Sequence, residues 1–289
     1  MECELARVIR RTVVCATQDA LHRLSYVEWG NLRSARTLVC VHGLTRCARD
    51  FDALARALLP GFRVVCVDLP GRGDSDWLAD PMQYVLPTYL NDVVTLIARL
   101  DVDAVDWVGT SLGGLVGMAL AARAGAPIRR LVVNDAGPVV KAAALERIAS
   151  YVGKAPTFSD LAEAERYIRS VSAPFGPHTD AEWRFMTESM LRPAGDGRLR
   201  LHYDPAIAVA YNIQQPFKDL ESWSAWDAIR CPTLVLRGAE SDLLTRETAD
   251  EMMRRGPRAR LVEFAGVGHA PTLMHEDQIA PVREFLLEE

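Results

Sequence analysis

Six short runs of mostly apolar residues recur along this 289-residue chain: TLVCV at 37–41, FRVVCV at 62–67, AVDWV at 104–108, LVVN at 131–134, TLVL at 233–236 and LVEF at 261–264. They are continuous rather than alternating, as expected of strands covered on both faces. Between most of them lie segments of helical length and spacing, at 50–59, 86–100 and 112–125, then at 245–255 and 271–287. Two earlier strands are expected at 7–15 and 22–28. Strands alternating with helices predict an α/β fold with a mostly parallel sheet flanked by helices.

The alternation stops once. From Pro138 to about Trp226 no run reads as a central strand. The segment carries helical patterns punctuated by proline and glycine, and it is rich in Phe158, Tyr167, Phe175, Trp183, Phe185, Met186 and Met190. The expectation is a core built from 1–137 and 227–289, with a helical lid inserted at 138–226. Most of the lid's large apolar side chains should pack within it or against the core, and a minority should line a pocket.

Composition excludes some functions. Hydrophobic residues make up 49% and charged residues 25%, ordinary for a soluble protein. A net charge of −5 argues against a nucleic-acid partner, which would need a basic patch. The apolar run 112–122 is too short to span a bilayer, and MECELARVIRRTVV lacks a signal peptide's apolar core, so no membrane role is expected. The six cysteines show no paired spacing, and Cys15, Cys40 and Cys66 sit in apolar runs. They read as reduced thiols of a cytoplasmic protein. No metal-ligand spacing appears, and Gly71-Arg72-Gly73 lacks the form of a phosphate cradle, so neither metal nor cofactor is expected.

Ligands of open α/β sheets bind beyond the carboxyl ends of the strands. The residues there are His42-Gly43-Leu44, then Asp68 to Ser75, Gly109-Thr110-Ser111-Leu112-Gly113, Asp135, Arg237 to Asp242, and Ala265 to His269. Ser111, two candidate acids in Asp135 and Asp242, and His269 therefore share a sheet edge. Taken alone, Ser111 reads as a turn residue, a helix cap or a nucleophile.

Gly109-Thr110-Ser111-Leu112-Gly113 matches G-x-S-x-G between a strand and a helix. His-Gly precedes it, and so does D-x-P-G-x-G-x-S from Asp68; an aspartate and G-x-G-H follow it. In this order the chain resembles the α/β-hydrolase family, from about Tyr26 to the C-terminus. The resemblance implies that Ser111 is the nucleophile and His269 its base, with Asp242 orienting the imidazole. Asp135 is the alternative acid, at a position some members use. Backbone N–H groups of Leu44 and Leu112 would hold the oxyanion. Gly109 and Gly113 would leave room for the sharp turn, His42 and Gly43 would shape the oxyanion loop, and Asp68 would brace its own turn.

The implied activity is that of a serine hydrolase cleaving an ester or related acyl bond of a small apolar substrate. A lactonase, a thioesterase and a C–C bond hydrolase use the same triad, and some members of the fold are non-catalytic small-molecule receptors. Among the lid's cations, Arg184, Arg192, Arg198 and Arg200 are candidates to meet a substrate carboxylate. Oligomeric state is not legible.

Overall fold

The computed structural model describes residues 8–59 and 61–288. Eight strands form the central sheet: β1 (Ile9–Ala16), β2 (Leu21–Trp29), β3 (Thr37–Val41), β4 (Arg63–Val67), β5 (Val105–Thr110), β6 (Ile128–Asn134), β12 (Thr233–Gly238) and β13 (Arg260–Phe264). Their spatial order is β1-β2-β4-β3-β5-β6-β12-β13. Only β2 runs against its neighbours; from β4 onward every pair is parallel. All five residues of β3 are buried, as its continuous apolar run requires.

Apolar layers cover both faces. On one, Trp107, Val116, Leu131 and Val133 pack with residues of the helices Leu86–Leu100 and Leu112–Ala121. On the other, Leu38, Cys66 and Val132 pack with the helices Asp52–Leu58 and Glu276–Leu287. After β3 the chain crosses to β4 on one side and then reaches β5 on the other. This reversal opens a crevice between the carboxyl ends of β3 and β5.

Sequence-based bounds shift in several places. The strand expected at 104–108 extends through Thr110 to the very edge of the serine turn. The helix expected to 125 stops at Ala121, and Gly125 takes a left-handed φ of 74° in the turn that follows. The last helix begins at Glu276, so residues 271–275 remain loop. The segment at 50–59 divides into a 3-10 turn, Ala48–Phe51, and the helix Asp52–Leu58. Residue 7, where the first strand was expected to begin, and Cys3 lie outside the described residues. The five described cysteines, Cys15, Cys40, Cys47, Cys66 and Cys231, are free. No described helix is long and apolar enough to cross a membrane.

Between β6 and β12 the chain forms the helices Ala142–Ala149, Leu161–Val171, Asp180–Ser189, Ile207–Asn212 and Trp223–Ala228. It also forms short strands that the sequence reading did not anticipate: β7 (Val139–Val140), β8 (Thr157–Phe158), β9 (Leu191–Pro193), β10 (Leu199–Leu201) and β11 (Leu220–Glu221). None joins the central sheet. β7 pairs with β11, and Ser222 N–H donates to Pro138 carbonyl at 2.7 Å, so the segment leaves and returns at one place.

Candidate active site

Strand register places the first two groups. Thr110 pairs with Asn134 across β5 and β6. Ser111 and Asp135 are each the next residue, so they emerge side by side. Ser111 N–H donates to Asn134 carbonyl at 2.9 Å, and Asp135 N–H to Leu236 carbonyl at 2.8 Å. Both residues are held at positive φ, 52° in each case. Such backbone angles are costly for non-glycine residues and persist only where the surroundings enforce them.

Two glycines allow the turn. A Cβ on Gly109 would stand 2.1 Å from Gly113 carbonyl oxygen, and one on Gly113 would stand 1.9 Å from Val41 carbonyl oxygen. Strand β5, the helix after it and the end of β3 thus approach more closely than any side chain permits.

His269 arrives from the far edge of the sheet. The loop after β13 doubles back across the end of β12: Ala239 N–H donates to Phe264 carbonyl and Glu240 N–H to Val267 carbonyl, both at 2.9 Å. Gly238 makes room, because a Cβ there would stand 2.1 Å from Gly268 carbonyl oxygen. Gly268 N–H is held by Pro174 carbonyl at 2.6 Å. The imidazole lands with Nε2 2.9 Å from Ser111 Oγ and Nδ1 3.0 Å from Asp135 Oδ2. Asp135 is fully buried, and burial pushes its carboxyl above the usual range; the His269 hydrogen bond and the Arg237 charge oppose that push.

The carboxylate against His269 is therefore Asp135, which corrects the expectation for Asp242. Because Leu236 is level with Asn134 in the register, Asp242 sits six residues beyond that level, on a surface turn. There it forms a two-point pair with Arg147, at 2.5 and 2.9 Å, with about half of its side chain exposed. The loop that delivers His269 crosses over β12 towards β6, and so passes Asp242 by.

The loop after β3 closes the other side. A Cβ on Gly43 would meet Ser111 Cβ at 3.6 Å. His42 is fully buried; Leu69 N–H donates to its Nε2 at 3.0 Å, so Nδ1 carries the proton and donates to Gly43 carbonyl at 2.6 Å. Burial drives its pKa down to about 3, which keeps the ring neutral and leaves it no spare acceptor for a serine proton. Arg72, also fully buried, donates through Nε to Leu44 carbonyl at 2.8 Å and through Nη1 to Pro70 carbonyl and Tyr89 hydroxyl. The sequence reading did not give Arg72 this task. Asp68 accepts from Ala48 and Asp74 N–H groups at 2.7 and 3.1 Å, while burial pushes its carboxyl up to about 6. Among the described residues, neither Leu44 N–H nor Leu112 N–H donates to a protein acceptor. Leu112 N–H opens a helix, where donors lack intrahelical partners.

A cavity of about 150 Å³ lies above Ser111, between the strand ends and the 138–226 segment. Of the large apolar residues singled out there, Tyr167, Phe175, Phe185, Met186 and Met190 line it, more than expected, whereas Phe158 and Trp183 do not. Arg184, Arg192, Arg198 and Arg200 do not line it either. Arg184 faces Glu165, Arg192 donates to Gly73 carbonyl, Arg198 donates to Thr157 carbonyl, and Arg200 lies over the Trp77 ring. Among the described residues, the cations in the cavity wall are Arg46 and Arg147.

Away from this cavity, His22 gave no signal in sequence. The structure pairs it across β1 and β2 with Cys15 and sets its Nε2 2.9 Å from Asp92 Oδ2, all three residues being buried. Cross-strand register brings them together, and spacing along the chain could not show it.

The pattern of the alpha/beta hydrolase family matches residues 38–282. A 3-hydroxybutyrate-oligomer hydrolase of Cupriavidus necator is 47% identical over 280 residues, covering 94% of this chain and 96% of that protein. Esterase YbfF of Escherichia coli is 26% identical over 83% of this chain and 88% of its own. Among solved structures, a putative hydrolase from Rickettsia typhi superposes with a TM-score of 0.90 at 31% identity, covering 98% of this chain and 99% of that one. An alpha/beta hydrolase from Novosphingobium aromaticivorans gives 0.86 at 36% identity, covering 97% and 98%. The eight-stranded, mostly parallel sheet agrees with these likenesses, and the chain belongs to the alpha/beta hydrolase family.

Proposed function

We propose that this chain is a serine hydrolase that cleaves the internal ester of short 3-hydroxyacyl oligomers through an acyl-enzyme. The reading rests foremost on the continuous relay Ser111 Oγ, His269 Nε2, His269 Nδ1 and Asp135 Oδ2, at 2.9 and 3.0 Å. The substrate class is drawn from the 47% identical relative, whose alignment covers nearly the whole of both chains.

A serine hydroxyl is a weak nucleophile until a base takes its proton. Ser111 Oγ attacks the ester carbonyl while His269 Nε2 accepts the proton. Asp135 fixes the tautomer that leaves Nε2 free and stabilises the imidazolium as it forms. The Leu44 and Leu112 N–H groups hold the oxyanion. Collapse breaks the carbonyl–alkoxy bond, and His269 returns the proton to the leaving alcohol. Water then repeats the sequence on the acyl-Ser111 ester and releases the acid. The 138–226 segment acts as the lid that supplies the cavity's apolar wall.

The test is hydrolysis of the linear dimer of 3-hydroxybutyrate and of p-nitrophenyl butyrate, wild type beside Ser111→Ala. Turnover of both that is lost in the variant supports the reading. Turnover of the p-nitrophenyl ester alone overturns the substrate class. Turnover undiminished in Ser111→Ala overturns the mechanism.

A further inference from the structure

Among the described residues, the cavity wall holds two cations, Arg46 and Arg147, and they differ in where their counter-ions lie. Arg46 meets Asp50 at two points, at 2.8 and 2.6 Å, and Asp50 lines the same cavity. That pair presents no net charge to a ligand. Arg147 also lines the cavity, but its counter-ion Asp242 does not. Arg147 uses Nε and Nη2 for Asp242, and its guanidinium also meets the Tyr151 hydroxyl. Tyr151 lines the cavity beside it.

Both partners of this pair are about half exposed, 41% for Arg147 and 51% for Asp242. Exposed pairs contribute little to stability, so exchanging one carboxylate for another has a small penalty. A guanidinium fork binds a carboxylate at two points whichever molecule supplies it. A linear hydroxyacyl oligomer ends in a free carboxylate, and the rest of its length suits the apolar lining around Ser111.

We infer that Arg147, with Tyr151 beside it, is the subsite for the terminal carboxylate of the substrate, and that Asp242 is its resident counter-ion, displaced on binding. The inference rests on the proposed substrate class. It also gives Asp242 a task, since His269 lies against Asp135 instead.

The experiment measures kcat/KM for cleavage of the internal ester in two substrates, the 3-hydroxybutyrate dimer and its terminal N-methylamide. The amide keeps the length and removes the charge. Wild type should prefer the acid, mainly through KM. In Arg147→Gln the preference should fall about 10- to 100-fold, the usual worth of a hydrogen-bonded charge. In Asp242→Asn it should be kept or raised, because the competitor is gone. If both variants lose the preference alike, the ion pair is only a latch and the inference is overturned. The same holds if Arg147→Gln slows both substrates equally. A wild-type enzyme that cleaves neither dimer yet turns over p-nitrophenyl butyrate overturns the substrate reading instead, so the two failures are distinct.

Discussion

Nδ1 of His269 lies 3.0 Å from Oδ2 of Asp135, a contact between residues 134 positions apart in the chain. It selects between two acids that both follow central strands. Asp135 is fully buried beside the imidazole, whereas Asp242 is half exposed and faces Arg147. On the proposed mechanism, Asp135→Asn should lower kcat/KM about 10³- to 10⁴-fold, as loss of the orienting carboxylate does in serine triads generally. Ser111→Ala should cost ~10³-fold or more. Asp242→Asn should change cleavage of a neutral p-nitrophenyl ester less than about tenfold, as suits an exposed pair. Initial rates of the three purified variants on p-nitrophenyl butyrate check the ranking; a larger loss at Asp242 than at Asp135 would return the acid's role to Asp242.

The same comparison shows where the sequence was informative. Central strands were legible because burial on both faces leaves an unbroken apolar run, as in Thr37–Val41, whose bounds are those read from sequence. That Ser111 and His269 would meet was legible because glycine-rich turns carry them. Which aspartate would lie against His269 was not, since both aspartates follow a strand and the choice depends on how the loop at 265–269 crosses Gly238. Arg147 was missed for a related reason. Nothing local marks one helical arginine as a cavity residue; the fold of the whole 138–226 segment decides it. Arg192, by contrast, stands in a stretch rich in cations yet turns to the Gly73 carbonyl.

His42 makes stability depend on pH. Its ordinary pKa is 6.5, and burial lowers it to about 3 in the folded protein. Between these values the unfolded chain binds a proton that the folded chain does not. Stability from this group is therefore complete above pH 6.5 and is lost as pH falls towards 3. The slope of unfolding free energy against pH should be steeper in wild type than in His42→Gln by up to about 1.4 kcal/mol per pH unit, one proton's worth. Urea unfolding between pH 7 and 4.5 measures it. Equal slopes in the two proteins would mean that His42 is protonated in the fold.

Gly113 and Gly125 separate two reasons for glycine. A methyl group on Gly113 would meet Val41 carbonyl oxygen at 1.9 Å, a backbone atom with nowhere to go. Gly113→Ala should destabilise by about 3 kcal/mol or more, and it should lower activity by displacing Ser111. Gly125 has φ of +74° with nothing within 4 Å of an added Cβ, so Gly125→Ala should cost only about 1 kcal/mol of backbone strain and leave activity intact. Denaturant unfolding of both variants, with rates on p-nitrophenyl butyrate, tests the contrast. A Gly113→Ala protein as stable and active as Gly125→Ala would refute it.

The buried pair of His22 and Asp92 should reveal itself through coupling. Nε2 and Oδ2 are 2.9 Å apart, and neither side chain reaches solvent appreciably. Burial raises the Asp92 pKa, and the His22 hydrogen bond opposes that rise. His22→Leu removes the opposition, so the lone carboxylate should destabilise the fold by about 3 kcal/mol. An acid whose folded pKa is raised favours folding at low pH and loses that contribution as pH climbs past its unfolded value of about 3.9. The penalty of His22→Leu should therefore be larger at pH 8 than at pH 5. The double variant His22→Leu, Asp92→Leu replaces both polar groups and should be less destabilised than the sum of the single variants, by about 1–3 kcal/mol. Urea unfolding of the four proteins at the two pH values completes the cycle; additive effects with no pH dependence would show that the two residues contribute independently.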